Sequence, residues 1–259
     1  MNPMLLLSNA EFAENVAEKS GGLDIVGPLI VWEFKLFGVN WQITESVTVQ
    51  WLALLLLGTL FFILGRNLKV RPEGKRQALA EMIVGMFSGL VKSNMGPGYF
   101  RYAPYIGALF CFSLTLSLTS LLGFRPPTAD ISVIGAWGIL TFLLVQRNRF
   151  KTGGVLGGLK SFTDPIPVIL PLNLVSEIAN PVSQSFRHYG NVLAGVIIGS
   201  IIYWGCGNLS NIIIGLDLPL FLPALTSIYF DIFAGILQAF VFVMLTMVYV
   251  SMADCASED

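Results

Sequence analysis

Charge is what this chain is short of. Only 12% of its 259 residues are Asp, Glu, Lys or Arg and 54% are hydrophobic, with a mean hydropathy of +0.73. Soluble domains carry about 25% charged residues, so the balance excludes an ordinary soluble domain and leaves an integral membrane protein. The net charge of −1 gives nucleic acid no electrostatic reason to bind. Cysteine is scarce too: Cys111, Cys206 and Cys255 lie far apart, without the spacing of a metal or redox motif. No glycine-rich phosphate loop occurs, so the chain is expected to hold no nucleotide and no cofactor and not to be a catalyst itself. The short apolar run at residues 4–7 meets Glu11, Glu14 and Glu18 at once, and a cleaved signal peptide is not expected. Histidine occurs once, at position 188, directly beside an arginine in an otherwise apolar stretch.

What the chain does have is long apolar runs. Residues 1–44 are mixed and mostly acidic, and form an expected external N-terminal segment ahead of a membrane domain over 45–259. Residues 47–64 are charge-free and long enough to cross a bilayer once (helix about 45–65). They end in the densest basic cluster, Arg66 to Arg76. Leu79, Met82, Ile83, Met86, Phe87 and Leu90 then recur at three- and four-residue spacing with Glu81, Ser88 and Lys92 between them, which predicts an amphipathic helix along the membrane surface (73–93). A second span follows over 101–123, and its Ser113, Thr115, Ser117, Thr119 and Ser120 suit close helix contact. Pro126 and Pro127 make a tight turn before a third span over 131–146, and residues 146–163, with two Gly-Gly pairs and four basic residues, read as a loop. The fourth and fifth spans are expected over 167–204 and 219–252, separated by a polar connection at residues 205–217. Eleven basic residues then fall on one side and only Lys19, Lys35 and Arg125 on the other, which puts the N-terminus outside and the C-terminus in the cytoplasm. The last two segments are about 33 residues each, or about 50 Å as helix against about 30 Å of hydrocarbon. The fold class is therefore all-α, with five transmembrane helices, one surface helix, and a final hairpin of two long, strongly tilted helices.

Arg187 stands near the middle of the fourth span. A guanidinium at bilayer depth costs from about 3 to over 10 kcal/mol, and it cannot escape by losing its proton. Something must face it. Gln238 is about midway along the next segment and can reach a similar depth; Asn191 lies one turn beyond Arg187 and Asp231 two turns before Gln238, a line of polar groups from outside. Glu177 and Ser183 form a second line from the cytoplasmic side. Neither line continues through.

The residues now carry a resemblance. Pro181-Val182-Ser183, Ser185-Phe186-Arg187, Tyr189-Gly190-Asn191, then Leu237-Gln238-Ala239-Phe240-Val241-Phe242 and Val248 to Ala253, resemble subunit a of F-type ATP synthases. The resemblance runs from the first span to the terminus and includes Pro171-Leu172-Asn173-Leu174; the first 40 residues carry none of it. It implies the stator half of a membrane motor, set against a rotating ring of c subunits that each carry one carboxylate, with peripheral-stalk b subunits as further partners. Arg187 faces that carboxylate and keeps it ionised, since an opposite charge within a few ångströms lowers a carboxyl pKa by about 1–3 units. Ions then load from one offset half-channel and leave by the other only as the ring turns, which couples an ion gradient, of protons in this reading and Na+ as the open alternative, to ATP synthesis or hydrolysis.

The resemblance also places Gln238 beside the arginine. It gives Glu177 an inner-channel position and Asp130 one beside the outer hairpin turn. Many relatives have a histidine where this chain has Asp231 and a carboxylate just after Gly-Asn, where this chain has Gly195 and Val196. Asp231 is therefore expected to supply the outer-channel acid alone. His188 faces away from Arg187's side and reads as a packed or interfacial residue. Two other classes stay in view: a secondary transporter using Arg187 as an anion anchor, which lacks the internal repeat such folds show, and a structural subunit with Arg187 as an assembly contact. A bacterial plasma membrane is favoured over an organellar one.

Overall fold

The computed structural model describes residues 30–36, 39–69, 74–163, 166–214 and 222–253. The acidic stretch around Glu11 to Glu18 and the acidic tail from Cys255 lie outside the described residues. Two strands open the described chain, β1 (Ile30–Leu36) and β2 (Val39–Thr44), paired antiparallel from Leu36 opposite Val39 out to Ile30 opposite Thr44, with an irregularity between Ile30 and Trp32. Their β-branched and aromatic residues fit a pleated ribbon. Sequence reading assigned no element to this stretch.

Helices follow in order: α1 (Glu45–Gly65), α2 (Lys75–Met95), α3 (Ala103–Leu118, entered through a 3-10 turn at Pro97–Tyr102), α4 (Ile131–Lys160), α5 (Leu170–Ile214), α6 (Leu222–Ser227) and α7 (Gly235–Met252). Five stretches are long and apolar enough to cross a membrane, Glu45–Gly65, Pro97–Leu122, Ile131–Lys160, Pro167–Leu209 and Leu225–Met252. Helix α2 is the sixth, amphipathic one. Helix α5 has 45 residues and contains Pro181, about 68 Å at 1.5 Å per residue, which exceeds a hydrocarbon core of about 30 Å and requires inclination, a kink or extension beyond the apolar layer.

Two boundaries differ from expectation. Residues 146–160, read as loop, continue α4, because Arg147, Arg149 and Lys151 are sound helix formers once the helix has left the apolar layer; the run is broken at Gly154, whose φ of 64° is open to glycine. Residues 205–214, read as a connection, continue α5. Polarity marks where the bilayer ends, and a helix is free to go further.

The chain forms two compact units: residues 1–56, 114–130 and 189–237 in one, and 57–113, 131–188 and 238–259 in the other. In the second unit, Gln77 clamps the turn after α1 by accepting from the Lys69 N–H and donating to the Lys69 carbonyl (3.1 and 2.5 Å), and Arg76 donates to the Arg66 carbonyl at 2.6 Å. The Phe87 ring of α2 lies against Phe110, centroids 5.6 Å apart, and against Gly107, where a Cβ would stand 3.0 Å from it. Asn148 is buried and joins three elements: its amide donates to the Val250 carbonyl at 2.9 Å and to the Tyr99 hydroxyl at 3.3 Å, and its carbonyl accepts from the Tyr102 hydroxyl at 3.3 Å. In the first unit, Ser117 approaches Gly235 so closely that a Cβ there would stand 3.1 Å from the serine's own. That is the close helix contact the small residues of the second span forecast.

Candidate functional site

Helix α5 turns two different faces to its surroundings around Arg187. Gln184, Ser185 and His188 are buried; Val182, Ser183, Phe186 and Arg187 are exposed. The buried face is fixed by specific contacts within the second unit. Gln184 donates to the Phe242 carbonyl at 2.8 Å and to the Thr246 hydroxyl at 2.9 Å, tying α5 to α7. Ser185 donates to the Pro181 carbonyl at 2.9 Å and lies 3.3 Å from the Ile134 carbonyl of α4. The carbonyl of Pro181 and the hydroxyl of Ser185 crowd Gly138 of α4, where only glycine fits: a Cβ would come 2.1 Å from the hydroxyl. The His188 ring meets Trp137 edge-on at 5.7 Å and Phe242 at 5.5 Å. It is a packed core residue, the first of the two readings the sequence left open.

The exposed face carries Arg187 and Ser183. Among the described residues no carboxylate stands within ion-pair distance of Arg187; the ion pair found is Arg149–Glu177. Gln238 is buried on α7, one turn before Phe242, the residue that Gln184 and His188 touch. The α5 segment around Arg187 and the α7 segment around Gln238 therefore pack together.

Glu177 is held at both oxygens. Oε1 accepts from Gln146 at 2.9 Å and Oε2 from Arg149 at 2.6 Å, and the Arg149 guanidinium lies over the Phe162 ring at 4.2 Å. Sequence reasoning missed both partners of Glu177, having read their segment as loop. Asp130 ends the 3-10 turn Pro127–Ala129, its N–H bonded to the Pro127 carbonyl at 3.0 Å, immediately before α4. It does not line the cavity described next.

In the first unit, Asp231 sits at the centre of a π-helical turn, Ile228–Ala234, between α6 and α7. π-turns inside α-helices occur often at functional sites. Ser120 and Ser227 donate side-chain hydrogen bonds to its carboxylate. Asp231 and Asn191 line one small cavity with Ser117, Pro126, Val192, Gly195, Val196, Phe230 and Gly235. Gly195 leaves room for Phe230, whose Cβ would be 3.1 Å from a side chain at that position. A carboxylate just after Gly-Asn would have to displace that ring. Ser117 and Ser120 were legible only as packing residues, and Ser227 was not singled out at all.

Fold and site together define the class, an integral membrane protein with five apolar spans and an exposed arginine on the longest of them that has no acid within ion-pair distance among the described residues. The family model for the ATP synthase A chain matches residues 47–251. The sodium ion specific ATP synthase subunit a of Propionigenium modestum is 34% identical over 227 residues, 82% of this chain and 74% of its own. The subunit a of Moorella thermoacetica is 32% identical over 81% of this chain and 90% of its own, and that of Desulforamulus reducens 30% identical over 95% and 96%. The chain belongs to the ATP synthase A chain family, as a subunit a: the non-catalytic, ion-translocating membrane subunit of the F0 sector.

Proposed function

We propose that Arg187 is the fixed cation past which the carboxylates of a rotating c-ring move, and that ions reach and leave those carboxylates through two offset half-channels in this subunit. The observation that carries the proposal is the exposure of Arg187 without an acid, on a face where its neighbours Phe186 and Val182 are apolar and exposed. A bare guanidinium at that depth is costly, and the chain itself offers no carboxylate among the described residues to offset it. A ring carboxylate arriving on that face supplies the missing charge. Asn191 and Asp231 serve the outer half-channel, Ser183 and Glu177 the inner one, with Gln238 behind the arginine and Asp130 at the outer turn.

The assembly includes peripheral-stalk b subunits and sits in a bacterial plasma membrane, the N-terminus outside and the C-terminus in the cytoplasm. Protons are the coupling ion of this reading; the name of the Propionigenium relative makes Na+ the alternative. The test is passive ion flux and coupled turnover of the reconstituted complex. Arg187→Ala and Arg187→Lys should abolish coupled turnover while passive flux through the head-stripped sector survives in Arg187→Ala. Asp231→Asn should depress both. If none of the three changes flux or coupling, Arg187 is architecture alone and the proposal fails.

A further inference from the structure

In the second unit, α1, α2 and α3 enclose a pocket of about 280 Å³. Its floor is buried: Phe87 of α2 is 6% exposed, and Gly107 of α3 lies against that ring. Its rim is open, with Val84 of α2 and Phe100, which is 63% exposed, beside the mouth. Ser88 is the one hydroxyl in a lining that is otherwise apolar. The pocket sits at the ends of two spans. Phe61 lies one turn before α1 stops at Gly65, and Ala103 is the first residue of α3. Between the ends of two spans and an amphipathic helix is the depth at which headgroups give way to acyl chains.

The surroundings are basic. Residues 57–113 carry seven Lys and Arg against two Glu. Lys92 stands one turn beyond Ser88 on the same face of α2, and Arg101 follows Phe100 directly in the 3-10 turn. Gly96, at a φ of 94°, turns the chain between them, and the 3-10 turn packs back on α2. Both side chains are exposed, and among the described residues neither has an acid within ion-pair distance.

Shape and charge together select the occupant. One turn of helix about 10 Å across and 5.4 Å tall fills about 420 Å³, so a helix of another subunit can lie across the mouth but cannot seat in it. A single hydrocarbon chain fits, and leaving the pocket empty would forfeit dispersion contacts on every wall. Lipid tails are as apolar as the lining and give no selectivity of their own. The two unpaired cations supply it, because each attracts an anionic headgroup at the membrane surface. We propose that this pocket holds one acyl chain of an anionic phospholipid, with the headgroup phosphate at Lys92 and Arg101.

The test uses the whole complex in vesicles doped with phosphatidylglycerol that carries a photoreactive group on one acyl chain, or with phosphatidylcholine of the same design. Adducts are mapped by peptide mass spectrometry. In wild type, phosphatidylglycerol adducts should gather within residues 83–111 and exceed those of phosphatidylcholine. At subsaturating lipid, Lys92→Gln and Arg101→Gln should each lower that labelling about fivefold, equivalent to about 1 kcal/mol, with labelling elsewhere unchanged. Ala108→Phe, at an exposed lining position, fills the pocket and should remove the adducts of both lipids there. Equal labelling by the two lipids in wild type, or labelling unmoved in both charge variants, overturns the proposal. So does a wild type with no adduct at 83–111 while other spans are labelled, which would show that another subunit covers the mouth.

Discussion

Gly138→Ala tests whether the contact behind Arg187 positions it. Gly138 faces Ser185, two residues before the arginine on α5. The added methyl would stand 2.1 Å from the Ser185 hydroxyl, 3.1 Å from the Pro181 carbonyl and 3.4 Å from the Ser185 Cβ. The hydroxyl can rotate away only by giving up its 2.9 Å bond to the Pro181 carbonyl, a loss of about 0.5–1.5 kcal/mol. The carbonyl belongs to backbone and must move with its helix, and overpacking of this kind costs about 1–3 kcal/mol in total. Helix α5 is then displaced from α4 at the level of Arg187. The expected result is a lower midpoint for thermal disassembly of the purified complex, together with weakened ATP-driven ion pumping. Ser185→Ala alone should cost about 1 kcal/mol for the lost hydrogen bond. In the double variant the worst clash disappears with the hydroxyl, so the two effects should sum to less than their separate values by about 1 kcal/mol, the coupling expected for residues in direct contact. Additive effects, or a Gly138→Ala complex that melts and pumps like wild type, would refute the reasoning.

Asn148→Ala removes hydrogen bonds to the Val250 carbonyl and to the Tyr99 and Tyr102 hydroxyls, and should cost about 0.5–1.5 kcal/mol for each bond lost; a thermal midpoint equal to wild type would contradict this. His188→Leu should be neutral or stabilising, because both ring nitrogens are buried without a partner among the described residues and an apolar side chain of similar size removes that penalty; a clear loss of thermal stability would show that those nitrogens are engaged by something held in the assembly.

The five spans were legible because they follow from a quantity that a sequence displays directly, hydropathy over a span's length. Helix α2 was legible as a helix, but of the apolar positions named for it only Phe87 is buried, alongside Gln77, Val91 and Met95, while Leu79, Met82 and Met86 stay exposed. What the sequence hid has a common cause. Hydropathy reports the bilayer, not the hydrogen-bonded helix, so the polar ends of α4 and α5 read as loops although backbone bonding continues through them. The β1–β2 pair sat in a stretch without hydrophobic runs, where only the Val, Ile, Phe and Trp content signalled strand. The π-turn around Asp231 has no signature in residue type at all: one extra residue in a turn is a matter of packing against neighbouring helices.

The acids of the site divide by what already holds them. Glu177 has both oxygens engaged, one by a guanidinium and one by an amide, and its side chain is 14% exposed. To accept a transported ion it must first release Arg149, or share it. Asp231 is held by neutral hydroxyls alone, which orient a carboxylate without cancelling its charge. Of the two, Asp231 has no cationic partner among the described residues and lines a small cavity, while Glu177 is closer to a neutralised pair. Arg187 completes the sequence with the opposite imbalance, a positive charge with no acid among the described residues. On the proposed function, ions pass from Asp231 to a mobile carboxylate supplied by another subunit, and the exposed face of α5 around Arg187 is where that carboxylate would arrive.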